Sequence, residues 1–227
     1  NVKSEIVDTL DGNLKNINIT VEEKATGEIL VGAGVGSEGG TGQFSISTWV
    51  FVEGSSRQQI IYNDGFELEW MGTGYNYFRM QPGAVNSVTN MHKNQWHHVV
   101  MTRNSSNSIQ IYVNGQKSSN YVSNSGTFDD VLYLGKDPDN GQYLDGNLNE
   151  VAIWATELNA SQIDSLYNDG MPLAASNVLG AASALKSYWK IEQSTGTSAT
   201  NAIANAASLT LHNSPSWAKF KHSPVPS

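Results

Sequence analysis

The sequence contains no cysteine among its 227 residues. This absence excludes a disulfide framework, thiolate metal sites and cysteine nucleophiles. Basic residues are few, with 13 Lys and Arg against 21 Asp and Glu and a formal net charge of -8 at pH 7. Because binding to a phosphate backbone requires clustered Lys and Arg, nucleic acid is not an expected partner.

Long apolar runs are also missing from the chain. No segment approaches the roughly 20 consecutive apolar residues that span a bilayer, so we expect no membrane insertion. No signal-peptide pattern is visible. The first residue is Asn1 rather than Met, and we therefore expect a processed product or one piece of a longer polypeptide.

Strand-like alternation dominates the sequence from Phe44 onward. In "FSISTWVFV", every second residue falls on one face, which is the period of a β-strand. Asn114-Gly115 tolerates the positive φ angles of a type I′ hairpin turn. Many short strands at regular spacing predict an all-β, two-sheet antiparallel jelly-roll sandwich. The further predicted strands are "QQIIYN", "FELEWM", "NYFRMQ", "WHHVVMTRN", "SIQIYV", "DVLYLG" and "LDGNLNEVAIWA".

One short helix is predicted near residues 159–169. Asn159 can cap its N-terminus, and Gln162 completes a capping box. Gly170 is the predicted stop. Because so short a helix is unstable alone, we expect its apolar side to lie on an open end or edge of the sandwich. That apolar side consists of Ile163, Leu166 and Tyr167.

Three stretches carry a family resemblance: "QFSISTWVFV", "NQWHHVVMTRNSSNSIQIYVNG" and "LYLGKD…LDGNLNEVAIWATELNASQIDSLYNDG". Together they resemble laminin-G-like, concanavalin A-like lectin/glucanase jelly-roll domains. The resemblance implies two antiparallel sheets of about six or seven strands each, capped by the helix. We accordingly expect an N-terminal extension or attachment segment over 1–41, the jelly roll over 42–172, and a β-rich extension packed on it over 173–227.

The tail of the chain resembles segments of tailed-phage structural proteins and large surface proteins. It contains "LKSYWKI", a Ser/Thr-rich stretch and "SLTLHN". Both resemblances imply a non-catalytic structural protein on a virion or extracellular surface, such as a phage decoration, knob or fibre component. Its rim loops would bind a glycan or a protein partner, and it could form a homo-oligomer. A bacterial adhesin domain and a glycoside hydrolase or lyase on the same scaffold are the alternatives.

Catalytic residues are poorly represented. Glucanases on this scaffold carry E-x-D-x-x-E on one strand, and the nearest stretch here is "FELEWMG". Glu67 and Glu69 share a strand face at about 6.6–6.8 Å, a spacing that does not by itself exclude hydrolysis. However, Gly72 stands where the last Glu belongs. His97 and His98 are adjacent, so they point to opposite faces and cannot bind one metal. We therefore predict that the protein is not an enzyme.

Two groups of residues are candidates for binding. Exposed aromatic rings can stack on sugars, although packing in the core is the alternative for Trp70. Domains of the resembled family often hold calcium in rim loops, and "GKDPDNGQYLDG" is rich in the oxygen ligands that calcium takes. The alternative for this loop is an ordinary hairpin, because its residues are turn formers. The candidates are Trp70, Tyr75, Tyr77 and Tyr143 for the glycan, and Asp137, Asp139, Asn140, Gln142 and Asp145 for Ca²⁺.

Overall fold

A computed structural model describes residues 15–19, 42–72, 74–87, 91–126, 131–193, 195–211 and 216–219. Its strands are β1 (Lys15–Ile19), β2 (Phe44–Val52), β3 (Gln58–Asn63), β4 (Phe66–Met71), β5 (Tyr77–Gln81), β6 (Val85–Asn86), β7 (Trp96–Arg103), β8 (Ser108–Val113), β9 (Gln116–Lys117), β10 (Val122–Ser123), β11 (Tyr133–Leu134), β12 (Gly146–Trp154), β13 (Leu185–Trp189), β14 (Ser198–Ala199), β15 (Leu209–Thr210) and β16 (Ser216–Lys219). The helices are α1 (Ala160–Tyr167) and short 3₁₀ segments at Asn168–Gly170, Ala175–Asn177 and Ala182–Ala184.

The strands form two facing antiparallel sheets and a small β14–β15 pair. The large sheet runs β10-β8-β7-β2-β12-β1-β16, with β13 also on β12 and β9 on β8. The small sheet runs β11-β3-β4-β5-β6. The predicted all-β jelly-roll sandwich is confirmed, although within the described residues the sheets have nine and five strands rather than six or seven each. Asn114 and Gly115 join β8 to β9 with φ angles of 50° and 76°, as the type I′ prediction requires.

The main core lies between the two sheets. Alternate residues of each strand point inward because side chains change face with a period of two. Each large apolar side chain buried in this way contributes roughly 1.5–3 kcal/mol. The members include Phe44, Ile46, Val50, Phe66, Leu68, Trp70, Phe78, Met80, Val99, Met101, Ile111, Leu148, Ile153 and Trp189.

Helix α1 begins at the predicted cap and ends earlier than predicted. The Asn159 side-chain oxygen accepts from the Gln162 backbone N–H at 3.0 Å, and the Gln162 side-chain oxygen accepts from the Asn159 N–H at 2.9 Å. The predicted capping box is therefore confirmed. The helix ends at Tyr167, because Asn168 already adopts the left-handed conformation (φ 45°) that was expected of Gly170.

The position of α1 differs from the expected end or edge of the sandwich. Ile163 and Leu166 belong to a second core on the outer face of the large sheet. That part of the sheet is itself apolar, since Val100, Ala152 and Trp154 point outward there. The helix therefore covers an apolar sheet face, and this burial compensates for the low intrinsic stability of its two turns.

Loss of the N-cap should measurably destabilise the protein. We expect Asn159→Ala to lower the free energy of unfolding by about 1 kcal/mol, because one helix N–H loses its acceptor. Urea denaturation followed by tryptophan fluorescence measures this change. Ser161→Ala, on the exposed first turn of the same helix, is the matched control and should change the midpoint little. Equal effects of the two substitutions would contradict the prediction.

The terminal segments contribute strands to the large sheet. Strand β1 pairs with both β12 and β16, and β13 pairs with β12. Strands from both terminal segments are thus part of the large sheet, while residues 1–14, 20–41, 212–215 and 220–227 lie outside the described residues. Within the described ranges, no helix combines the length and apolarity needed to cross a bilayer.

Candidate functional site

The outer side of the small sheet is polar, in contrast to its core side. Directly paired residues of antiparallel strands project to the same side. Tyr62 pairs with Glu67, and Glu69 pairs with Arg79. We call this surface the polar face, and its members are Tyr62, Glu67, Glu69, Tyr77 and Arg79.

Glu69 lies at the centre of the polar face and is held by two arginines. Arg57 Nε donates to Glu69 Oε1 at 2.6 Å, and Arg57 Nη2 contacts the same oxygen. Arg79 Nε and Nη2 each lie 2.8 Å from Glu69 Oε2. The Glu69 side chain is 0% exposed, against 40% for Arg57 and 17% for Arg79. Both carboxylate oxygens are thus engaged and shielded from solvent.

Glu67 is the more accessible carboxyl group of the polar face. Burial raises the pKa of Glu67 above its ordinary value, and the negative charges of Glu69 and Asp137 raise it further. Arg57 and Arg79 act in the opposite direction but do not reverse the shift. Glu67 is therefore half-buried in a negative local field.

A third carboxyl group cannot be accommodated at position 72. A Cβ atom on Gly72 would lie 2.0 Å from the Ser55 backbone oxygen and 2.5 Å from that of Ser56. Since the clash is with backbone, any side chain here would require the loop to move. The last Glu of the E-x-D-x-x-E pattern is therefore absent from the sequence and would also not fit at position 72 in this fold.

The hairpin over residues 136–143 lies against the polar face. Lys136 and Tyr143 form an antiparallel β-bridge across it, and the Asp137 backbone N–H donates to the backbone carbonyl of Gln142 at 2.8 Å. The Tyr62 hydroxyl contacts Asp139 Oδ2 at 2.5 Å and Asp64 Oδ1 at 3.0 Å. Burial and these two carboxylates raise the pKa of Tyr62, which keeps the phenol protonated. The structure thus brings the acidic loop and the Glu67–Glu69 strand into one site.

Asp137 organises the hairpin from within. Its Oδ1 accepts from the N–H groups of Asp139 (2.8 Å) and Asn140 (3.0 Å), and its Oδ2 accepts from the Asn140 amide at 2.8 Å. Burial would raise the pKa of Asp137, but these hydrogen bonds outweigh it and lower the pKa overall. The loop is a hydrogen-bonded turn, which was the alternative to a cation site.

The contacts of the calcium candidates are divided among different partners. Asp137 and Asn140 bond to each other, Asp139 accepts from Tyr62, and the Asp145 N–H donates to Gln58 Oε1 at 2.9 Å. Among the residues that the structure describes, no three or more His, Asp or Glu side chains are grouped to hold a metal ion. Calcium binding by this hairpin stays a prediction.

The four aromatic candidates occupy different environments. Trp70 requires a correction, because it lies two residues after Leu68 and shares its core face, fully buried. It packs edge to face on Phe78 at 5.2 Å and cannot stack on a sugar. Tyr75 is 61% exposed and contacts Tyr77 edge to face at 5.9 Å. Tyr77 and Tyr143 are half-buried, and the binding roles of these three tyrosines stay predictions.

His97 and His98 point to opposite sides of β7, as predicted. His97 contacts Phe78 in the space between the sheets, at 5.3 Å between rings. His98 lies under α1, stacked near Tyr167, with its Nε2 2.8 Å from Ser47 Oγ. Burial lowers the pKa of His98 to about 3, so the ring is neutral at physiological pH.

Three residues of the site were missed by sequence reasoning: Tyr62, Arg57 and Arg79. The only local signal was the alternation of "YFRMQ", which places Arg79 on the polar side of β5. Its pairing with Glu69 depends on the register of the β4–β5 hairpin, and Arg57 precedes β3 in a loop. Neither contact could be identified without the strand register.

Comparisons with known proteins agree with this architecture. The family model of the concanavalin A-like lectin/glucanases superfamily matches residues 24–164. A protein from Bacteroides ovatus, provisionally described as carbohydrate-binding, has a TM-score of 0.71 and 18% identity over 92% of this chain, which spans 60% of that protein. A heptameric SAP-like pentraxin from Limulus polyphemus has a TM-score of 0.60 and 10% identity, over 92% of this chain and 96% of its own. No curated protein sequence matches the chain.

Proposed function

Because the chain belongs to the concanavalin A-like lectin/glucanase superfamily, we propose that it is a non-catalytic, glycan-binding module that uses the polar face. The observation that carries this proposal is that Glu67, Arg79 and Tyr77 share the side of β4 and β5 that the core does not use. Sugars are bound by aromatic rings that stack on their apolar faces and by a few well-placed polar groups. The polar face offers both, next to the exposed ring of Tyr75.

The environment of Glu69 supports a non-catalytic role. Hydrolysis by the two-carboxylate route requires one acid and one base or nucleophile on either side of the glycosidic bond. Glu69 has both oxygens bound by arginines and no exposed surface. Gly72 cannot carry a side chain without displacing the Ser55 backbone. Of the two carboxyl groups of β4, only that of Glu67 remains accessible.

Glycan binding should depend on the polar face. We expect Tyr77→Ala and Glu67→Gln each to weaken binding about tenfold, which corresponds to about 1.4 kcal/mol for a lost stacking or hydrogen-bonding contact. A glycan array identifies the ligand, and calorimetry on the best probe measures the loss. Tyr121→Ala and Glu157→Gln are matched controls at exposed positions outside the polar face. Equal losses in site and control variants would contradict this use of the surface.

A glycoside hydrolase is the second candidate, and the raised pKa of Glu67 favours it. A carboxyl group that holds its proton at higher pH is suited to act as a general acid. A reducing-end assay with polysaccharides bound on the array separates the two functions. We expect no turnover. Turnover by the wild type that disappears in Glu67→Gln would establish the enzyme instead.

The setting of the module is a further part of the proposal. We place it on a virion, as a phage decoration, knob or fibre component, or on a bacterial surface as an adhesin domain, with homo-oligomerisation as an option that light scattering tests. Support comes from the resemblance of residues 173–227 to segments of such proteins. Calcium at the 136–143 hairpin is proposed separately. Glycan binding that is unchanged by EDTA would exclude a calcium-dependent mode.

A further inference from the structure

The charges around the polar face restrict the class of glycan that it can bind. We infer that the site selects neutral glycans and discriminates against acidic ones, such as uronic-acid and sulfated polymers. This inference rests on the proposed glycan-binding function and specifies its ligand class. It is carried by how the two arginines are used and by which charges remain next to the surface.

The arginines of the polar face are already committed to a protein carboxylate. An acidic sugar would need a guanidinium that can offer two parallel N–H groups to its carboxylate or sulfate. Arg57 and Arg79 each direct Nε and Nη2 at Glu69. A ligand anion could therefore reach only the Nη1 side of each guanidinium, whose charge is already shared with a buried carboxylate. Neutral hydroxyl groups can accept from the N–H groups that remain on Nη1 and do not depend on the charge of the guanidinium.

The charges surrounding the arginines are predominantly negative. Among the described residues, five carboxylates lie at this surface against three cationic side chains, so the formal excess is two negative charges. Because like charges that meet at an interface weaken binding, this surface repels an anionic ligand but not a neutral one. The carboxylates are Glu67, Glu69, Asp64, Asp137 and Asp139, and the cations are Arg57, Arg79 and Lys136.

The direction of the Glu67 pKa shift agrees with an excess of negative charge beside this residue. Burial raises the pKa of Glu67 first, and the charges of Glu69 and Asp137 outrank those of Arg57 and Arg79 in their effect. A carboxylate placed beside Glu67 would experience the same field. A ligand anion in this position is therefore disfavoured in the same way as the ionised form of Glu67.

The exposed rim charges can be removed without disturbing the core. Asp64 and Asp139 are exposed, and both contact the Tyr62 hydroxyl. Asparagine keeps an oxygen that can accept from Tyr62, so the double variant Asp64→Asn/Asp139→Asn preserves the contact while removing two negative charges. Thermal unfolding of the variant checks that the fold is retained.

The test compares neutral and acidic probes on wild type and the double variant. The probes are gluco-, manno- and galacto-oligosaccharides, with oligogalacturonate, alginate and heparan sulfate fragments as the acidic set. At low ionic strength, we expect the best neutral probe to bind wild type at least about tenfold more tightly than any acidic probe. The double variant should reduce this ratio by about threefold or more, and about 1 M salt should also reduce it. Asp164→Asn, on the exposed side of α1, is the control and should not change the ratio.

The outcomes distinguish failure of the inference from failure of the proposed function. Acidic probes that bind wild type as tightly as neutral ones, on the same surface, would overturn the selectivity and leave glycan binding intact. A preference for neutral probes that is unchanged in the double variant would show that these charges do not cause it, and would also overturn the inference. The absence of binding to every probe would overturn the glycan-binding function itself.

Discussion

Glu150→Gln is expected to stabilise the protein by about 3 kcal/mol above pH 7 and to leave its stability unchanged near pH 4. Glu150 is only 8% exposed, in a bulge of β12 where its backbone has a left-handed φ of 52°. Burial raises the pKa of Glu150 to about 7 from an ordinary 4.5, although the Tyr188 hydroxyl donates to it. Glutamine keeps an oxygen acceptor for Tyr188 and carries no charge.

The sign of this pH dependence follows from where the proton is held. Between pH 4.5 and about 7, Glu150 is protonated in the folded state and ionised in the unfolded chain. The stability it supports is fully present below pH 4.5 and is lost as the pH rises through about 7. Of the charged neighbours, Glu192 adds to the shift and Lys190 opposes it. The Gln variant has no such titration, so the difference between the two proteins grows with pH.

The contribution of His98 to stability has the opposite pH dependence and partly offsets that of Glu150 in the wild-type protein. Its pKa of about 3 means that the folded state excludes a proton that the unfolded chain binds below pH 6.5. Its contribution is therefore lost as pH falls, which offsets Glu150 between pH 4.5 and 6.5. Urea denaturation of wild type and Glu150→Gln at the same pH removes the His98 contribution, because it is equal in both proteins. Glu53→Gln, at an exposed position, is the control. A difference that does not change with pH would refute the assignment.

Arg79→Ala is expected to lower the free energy of unfolding by about 3 kcal/mol, whereas Arg57→Ala should cost about 1 kcal/mol. Removing Arg79 leaves Glu69 Oε2 without both of its arginine donors, and Arg79 is itself largely buried at 17% exposure. Arg57 is more exposed, so water can replace it at Oε1 once its side chain is gone. The loss of unfolding free energy thus depends on which arginine is removed from the Glu69 carboxylate.

A double-mutant cycle isolates the ion pair from the loss of the arginine side chain. If the cost of Arg79→Ala arises from an unpaired carboxylate, it should become much smaller in a Glu69→Gln background. Thermal and urea unfolding of the four proteins provide the coupling energy. A cost of Arg79→Ala that is equal in both backgrounds would indicate lost packing rather than lost pairing. Equal costs for the two arginines would contradict the role of exposure.

The predictions for Trp70 and for the position of helix α1 were wrong for different reasons. Trp70 was proposed as a ligand-stacking ring because aromatics and glycines surround it, but strand alternation with Leu68 buries it. Helix α1 was expected at an end or edge, because the outward apolar residues of β7 and β12 were not recognised as a surface that needs cover. The first error is local, because residues two apart in a strand share a face, whereas the second concerns a sheet surface that only the assembled fold displays.

The amino-acid sequence by itself determined the strands, the type I′ turn and the capped helix, because each depends on side-chain periodicity or on groups a few residues apart. Only the tertiary structure decided the composition of the site. Tyr62 and Asp139 meet although they are 77 residues apart, and Glu69 meets Arg57 and Arg79 across two different strand connections. Strand register and the path of the 136–143 hairpin create these contacts, and both result from packing of the whole sandwich rather than from local preference.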